Sequence, residues 1–113
     1  MLYCRDWTAT VAFYRDVLAL PITYENTWFV EFALTDSARI SLADAGRTTI
    51  KAVDGQGITL AWQVDAIETM RDWLQQRGVA VGPLQTRFGS AVCYFYDPEG
   101  HRLELWQAQA DLN

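Results

Sequence analysis

Ala91-Val92-Cys93-Tyr94-Phe95-Tyr96-Asp97-Pro98-Glu99-Gly100-His101-Arg102-Leu103-Glu104-Leu105-Trp106 is the stretch from which the rest of the chain can be read. Six strand-forming residues run into Asp97-Pro98-Glu99-Gly100, where proline presets the first central turn position and glycine releases the chain into a second strand. The pattern predicts a hairpin. Side chains on a strand alternate between faces, so Leu103 and Leu105 point to one side while Arg102, Glu104 and Trp106 point to the other. A carboxylate set between leucines is therefore aimed off the apolar face, and its surroundings decide what the protein does.

The chain has 113 residues, half of them hydrophobic and 13% aromatic, which is enough for one core and excludes a disordered protein. A formal net charge of −5 excludes a nucleic-acid binder, which needs a basic footprint, and mildly favours a cationic small molecule. Cys4 and Cys93 have neither metal-like spacing nor a disulfide framework. No apolar run reaches membrane-spanning length, and Arg5 and Asp6 interrupt the start before a signal-peptide core can form. The expectation is a cytoplasmic protein with no membrane and no nucleic-acid partner.

Residues 1–5 read as a short strand. Asp6 or Thr8 is placed to cap a helix reaching about Leu18, with Val11, Tyr14, Val17 and Leu18 on its apolar face and Pro21 as its stop. The period then changes to two, giving strands at Ile22–Tyr24, Trp28–Ala33 and Arg39–Leu42. Ala43 to Gly57 reads as a connection. A strand over Ile58–Val64 follows, and Asp65 with Glu68 forms a potential capping box for a helix bearing Ile67, Met70 and Leu74. Gly78 is its natural C-terminal cap, and Val79–Val81, Gly82-Pro83 and a loop through Gly89 lead to the closing hairpin.

The same order of elements thus occurs twice. Asp6 to Phe13-Tyr14 corresponds to Asp65 to Asp72-Trp73 at an offset of 59, and the hairpin Asp36–Leu42 corresponds to Glu99–Leu105 at 63. A duplicated unit too small to bury its own sheet face implies that the copies complete one structure. The expected fold is α+β: two βαβββ modules, about 1–52 and 57–108, in a single domain over 1–113, forming curved mixed sheets around a cleft with helices on the outer faces.

Two motifs tie this organisation to a known group. Phe13-Tyr14-Arg15-Asp16-Val17-Leu18 resembles the first-helix F-Y-x-x-x-L-G pattern of the vicinal oxygen chelate superfamily, with Ala19 where glycine is usual, and Tyr94–Leu105 resembles its F-x-D-P-D-G-N-x-x-E-L ending. This superfamily includes glyoxalase I, bleomycin-resistance proteins and extradiol dioxygenases. The resemblance implies two βαβββ modules and a homodimer, and leaves function open, because members bind drugs, isomerise, open rings or add thiols on one scaffold. In the family's metal enzymes a divalent cation is held from the first strand of each module and by a last-strand glutamate. That glutamate falls on Glu104; the second-module histidine falls on Thr59, and the first-module histidine falls about seven residues before Asp6, upstream of Met1. Ser41, the internal counterpart of Glu104, is a weak donor. One carboxylate does not make a site for a cation that wants several converging donors, so the expectation is no metal cofactor, with Glu104 the ligand if a divalent metal binds.

If Leu103 and Leu105 face the helices, Glu104 and Trp106 face the cleft, joined across the hairpin by Tyr94 and Tyr96. The repeat transfers this parity to Phe29 and Glu31, and parity in the opening strands adds Thr59, Ala61, Gln63 and Tyr3. Aromatic rings with Glu31 and Glu104 suit a flat or cationic organic ligand. Each residue also has a plainer reading. Phe29, Tyr3 and Trp106 can simply fill the core, Glu104 can pair with Arg102 or with the other copy, and Glu31 can be a solvated strand residue. His101 reads as a surface histidine and Cys93 as a small buried hydrophobe. Arg39 and Arg102 recur at matched positions, which points to module structure rather than to anion binding.

No serine or cysteine nucleophile set and no phosphate-binding glycine loop can be assembled, so catalysis would rest on Glu104 or Glu31 as base, with a tyrosine as acid, in a desolvated pocket. The reading that follows is a metal-free, homodimeric small-molecule binding protein taking an aromatic or cationic ligand in an acidic aromatic cleft. The alternative is a divalent-metal-dependent lyase, isomerase or dioxygenase with ligands from upstream residues or a partner chain.

Overall fold

The computed structural model describes residues 1–108. The chain forms two compact units, Met1–Gln56 with Pro98–Gly100, and Gly57–Asp97 with the chain from His101 onward. Each contains one four-stranded mixed sheet and one principal helix.

In the first unit the elements are β1 (Leu2–Cys4), α1 (Trp7–Ala12), β2 (Ile22–Glu25), β3 (Phe29–Ala33) and β4 (Arg39–Asp44), with sheet order β1-β4-β3-β2. β1 pairs with β4 in parallel and the other pairs are antiparallel. Asp6 is the helix cap, its carboxylate accepting the Ala9 N–H at 3.2 Å. The helix does not run to Leu18 as a uniform α-helix. After Ala12 it widens into a π-helical segment, Phe13–Val17, closed by the Leu18 N–H on the Phe13 carbonyl at 3.0 Å. Ala19 follows in the left-handed region at φ +56°. Tyr14, Val11 and Leu18 are buried with the inward residues Val30, Phe32, Ile40 and Leu42, and the Tyr14 and Phe32 ring centres stand 6.0 Å apart.

The second unit repeats the design with β5 (Thr59–Gln63), α2 (Ile67–Gln76), β6 (Gln85–Arg87), β7 (Ser90–Tyr96) and β8 (Arg102–Ala108), in the order β5-β8-β7-β6. β5 is again the parallel strand. Its core gathers Ile67 and Leu74 from the helix with Cys93, Phe95, Leu103 and Leu105 from the sheet, all at most 1% exposed. At roughly 1.5–3 kcal/mol per fully buried large aliphatic or aromatic side chain, this face supplies much of the driving force for the unit.

Three local expectations are corrected. The Asp65/Glu68 capping box does not form. The helix begins after Ala66 without a side-chain cap of its own, and the Ile67 N–H donates instead to Gln107 Oε1 at 2.9 Å. Pairing of Gln63 with Trp106 brings the next β8 residue, on the helix side, to that helix start. Second, the loop expected to run through Gly89 contains the edge strand of this module. The Val81 N–H turns back onto the Val79 carbonyl and Pro83 has no N–H to give a ladder, so the edge strand forms later, at Gln85–Arg87. Third, His101 is not on the surface: it is 6% exposed. Asp97 accepts the His101 backbone N–H at 3.0 Å and stands 2.7 Å from ring Nδ1, drawing the imidazole into the turn.

The same turn anchors the start of the chain. Glu99 is buried in the first unit and accepts the N–H groups of Arg5 and Asp6 on separate oxygens, each at 2.7 Å. Gly100 follows at φ +91°, where an added Cβ would stand 2.8 Å from the Asp54 carbonyl oxygen, so only glycine fits. Gly78 ends α2 at φ +83°, with the Val79 N–H reaching back to the Leu74 carbonyl. Among the described residues no helix is long and apolar enough to cross a membrane.

Candidate functional site

The pleat of β8 separates its side chains as the alternation predicts. Leu103 and Leu105 are fully buried on the helix side, whereas Arg102, Glu104 and Trp106 are partly or largely exposed on the open face. Register then fixes their neighbours. Tyr96 lies opposite Arg102, Tyr94 opposite Glu104 and Val92 opposite Trp106 on one flank; Thr59, Ala61 and Gln63 lie opposite Arg102, Glu104 and Trp106 on the other.

A recess of about 380 Å³ opens on this face, lined by Arg87, Phe88, Ser90, Val92, Tyr94, Arg102, Glu104 and Trp106. That volume lies in the range of small-molecule pockets. Of the residues expected at a site, Tyr94, Glu104 and Trp106 come together here. Tyr96, Thr59, Ala61 and Gln63 share the sheet face without lining the recess. Tyr3, Phe29 and Glu31 belong to the first unit. There Glu31 accepts the Thr23 hydroxyl at 2.7 Å, and Phe29 packs between Tyr24 and Trp28 with ring centres 5.9 and 5.7 Å away, so both are engaged in their own sheet.

The electrostatics of the recess differ from the acidic cleft expected. One carboxylate residue, Glu104, lines the recess together with two arginines, Arg87 and Arg102. The Glu104–Arg102 ion pair does not form. Arg102 donates through Nε to the Thr59 hydroxyl at 2.8 Å, and its guanidinium carbon sits 4.6 Å from the Tyr94 ring centre. Its internal counterpart Arg39 instead donates to the carbonyls of Thr35 and Ala38. The two matched arginines have therefore parted in role. Arg87 is held by the Gln85 side chain through Nε and Nη2, at 3.1 and 2.7 Å.

Phe88 is one of the lining residues, with Arg87, Ser90 and Val92, that sequence reasoning passed over. Arg87 pairs with Ser90, so Phe88-Gly89 is a two-residue hairpin loop, and both its residues have positive φ, +50° and +74°. Such a loop favours asparagine followed by glycine. The glycine signals the turn, but a phenylalanine before it sits in a conformation costing roughly 1–2 kcal/mol for an L-residue. It recovers none of this by burial, since the side chain is fully exposed at 107%. Strained positions persist where the surrounding structure enforces them, and they cluster at functional sites.

The donors on this face do not fit a divalent cation. Opposite Glu104 in the register stands Ala61, the Thr59 hydroxyl accepts from Arg102, and the other charged residues lining the recess are arginines. Among the described residues no group of three or more His, Cys, Asp or Glu is placed to hold a metal. His101 is committed to Asp97 and Cys93 is buried, where desolvation pushes the thiol pKa up and Arg71 opposes this more weakly. A second depression, about 500 Å³ in the first unit, is bounded by Arg5 and the 44–52 segment and carries no aromatic ring.

Comparison with known proteins places this architecture. Uncharacterized protein YraH of Bacillus subtilis (strain 168) is 28% identical over 121 residues, spanning 94% of this chain and 93% of YraH. Lactoylglutathione lyase from Agrobacterium tumefaciens superposes with a TM-score of 0.78 at 23% identity, over 96% of this chain and 90% of that one. TnmS3, an antibiotic binding protein from Streptomyces sp. CB03234, does so with 0.76 at 20%, over 95% and 90%. The two structural likenesses speak for the fold. Residues 1–105 match the family profile directly, and with its twice-built βαβββ unit the chain belongs to the Glyoxalase/Bleomycin resistance protein/Dioxygenase superfamily.

Proposed function

We propose that this protein binds a small aromatic molecule without a metal, in the recess on the open face of the second sheet. The observation that carries the reading is the convergence there of Tyr94, Trp106 and Phe88 around a carboxylate, Glu104, that has no ion-pair or hydrogen-bond partner among the described residues. Three rings offer a stacking surface, and a strained, exposed Phe88 at the rim is explained by a ligand that it covers. Of the neighbours that share this fold, TnmS3 is an antibiotic binding protein and the other a lactoylglutathione lyase. The residues in this recess favour binding over catalysis, because no nucleophile or metal-ligand set accompanies Glu104. The same reading takes the protein as a cytoplasmic homodimer, which light scattering on the purified protein and cell fractionation test.

Ligand-observed NMR with a library of aromatic fragments, followed by chemical-shift mapping, tests the binding role. Hits should perturb Arg87–Trp106 and weaken about tenfold in Trp106→Ala, the loss of roughly 1.4 kcal/mol of ring contact. Absence of any perturbation there, or one divalent ion per chain that is lost in Glu104→Gln, would overturn the reading.

A further inference from the structure

We infer that the ligand of this recess is an aromatic anion that also carries a hydrogen-bond donor, not an aromatic cation. The inference rests on the binding role just proposed and narrows it to a chemical class.

Charge count comes first. Two guanidinium groups and one carboxylate line the recess, so its local sign is positive although the chain as a whole carries −5. Inside a partly enclosed site the near charges outweigh the distant ones, because separated surface charges are screened within about 10 Å. A cation would meet Glu104 together with two like charges.

Posture comes second. Arg102 is held at two points, its Nε by the Thr59 hydroxyl at 2.8 Å and its planar face by the Tyr94 ring at 4.6 Å. Thr59 lies on β5 and Tyr94 on β7, so the strands on both sides of β8 hold one side chain. Neither Nη atom of Arg102 has a partner among the described residues. A guanidinium whose inner nitrogen is tied back presents its outer edge in a fixed direction. That edge is the part that grips a carboxylate or phosphate with two parallel hydrogen bonds.

Glu104 supplies the complementary half. It is an acceptor without a donor, on the same strand face two residues from Arg102. A ligand whose anion meets Arg102 while a ring N–H or O–H meets Glu104 satisfies both, and its flat body covers the intervening rings. An unsubstituted anion would leave the carboxylate unanswered, and a cation would leave the arginines unanswered.

Calorimetry on the full chain with four indoles separates these terms: indole-3-acetate, the neutral indole-3-acetamide, 1-methylindole-3-acetate without the N–H, and the cation tryptamine. Indole-3-acetate should bind about tenfold tighter than the amide, and several-fold tighter than the methylated acid, as expected for charge-assisted hydrogen bonds. Arg102→Gln should erase the acid-over-amide preference, and Thr59→Val should reduce it partly. Glu104→Ala should erase the effect of N-methylation. If acid and amide bind wild type equally, with shifts mapping to Arg87–Trp106, the anion inference falls and the aromatic-binding role stands. Preference for tryptamine overturns the inference in the same way. If none of the four perturbs that segment, the binding role itself falls. Circular dichroism of each variant separates lost recognition from lost fold, and Arg87→Gln gives a second charge deletion should Arg102→Gln unfold.

Discussion

Replacing Phe88 with asparagine should make the fold more stable and the binding weaker at the same time. Phe88 occupies the first position of the Phe88-Gly89 loop at φ +50°, where a bulky L-residue costs roughly 1–2 kcal/mol and asparagine is tolerated. Because the ring is fully exposed, removing it forfeits no core burial. The net gain is about 1 kcal/mol, which for a chain of this size corresponds to a rise in Tm of about 4 °C. In the complex the opposite holds. A ring covering a ligand with about 80 Å² of its apolar surface contributes roughly 2 kcal/mol at 25 cal/mol per Å², so its loss should weaken binding about thirtyfold. Thermal melts followed by circular dichroism give the first number and calorimetry with indole-3-acetate the second. A lower Tm would refute the strain argument. Unchanged affinity, or a change in oligomeric state in place of affinity, would refute the assignment of Phe88 to the ligand.

Other expectations concern the fold. Ala19→Gly should stabilise by about 0.5 kcal/mol, because it removes the left-handed penalty at φ +56° and adds back a smaller chain-entropy cost; a urea titration measures it. Glu99→Gln should cost about 3 kcal/mol in the same assay, since an amide can accept from only one of the Arg5 and Asp6 N–H groups and turns a donor toward the other. Cys93, whose thiol pKa is raised by burial, makes stability depend on alkaline pH. Below the ordinary thiol range both states are protonated and its contribution is complete. As pH rises from there toward the folded value the unfolded thiol ionises first, so stability is lost. The urea midpoint should therefore fall more steeply between about pH 8 and pH 10 in wild type than in Cys93→Ala.

What the sequence made legible was whatever depends on near neighbours along the chain. Alternation placed Leu103 and Leu105 inward and Glu104 and Trp106 outward, and the lone glycine after Arg77 marked where α2 stops. Duplication carried the first module's layout onto the second. Features set by pairing between distant segments were hidden. Gln107 caps α2 only because β5 lies parallel to β8 in one particular register, which local propensity does not encode, so the nearer Asp65 looked the better candidate. His101 was misread because a histidine after a turn is usually solvated, whereas here Asp97 folds back on it. Arg102 shared its position with Arg39, and only the Tyr94 ring and Thr59 hydroxyl, absent from the first copy, distinguish its role. Phe88 and Arg87 had a signal, the Gly89 that closes a two-residue loop, but the strand before it, Gln85–Arg87, shows no apolar alternation to announce a hairpin.

The grip of Glu99 on the N–H groups of Arg5 and Asp6 bears on how such a duplicated gene can be divided. A cut after Gln56 falls in the natural connection and would yield two pieces with complete sheets. The first piece, however, would begin its helix with two donors whose acceptor had been left some forty residues away on the other fragment. The halves are therefore no longer autonomous copies: a split version should need both fragments together to regain full order at the start of α1. The second half keeps the ancestral hairpin pattern while lending its turn carboxylate to the first.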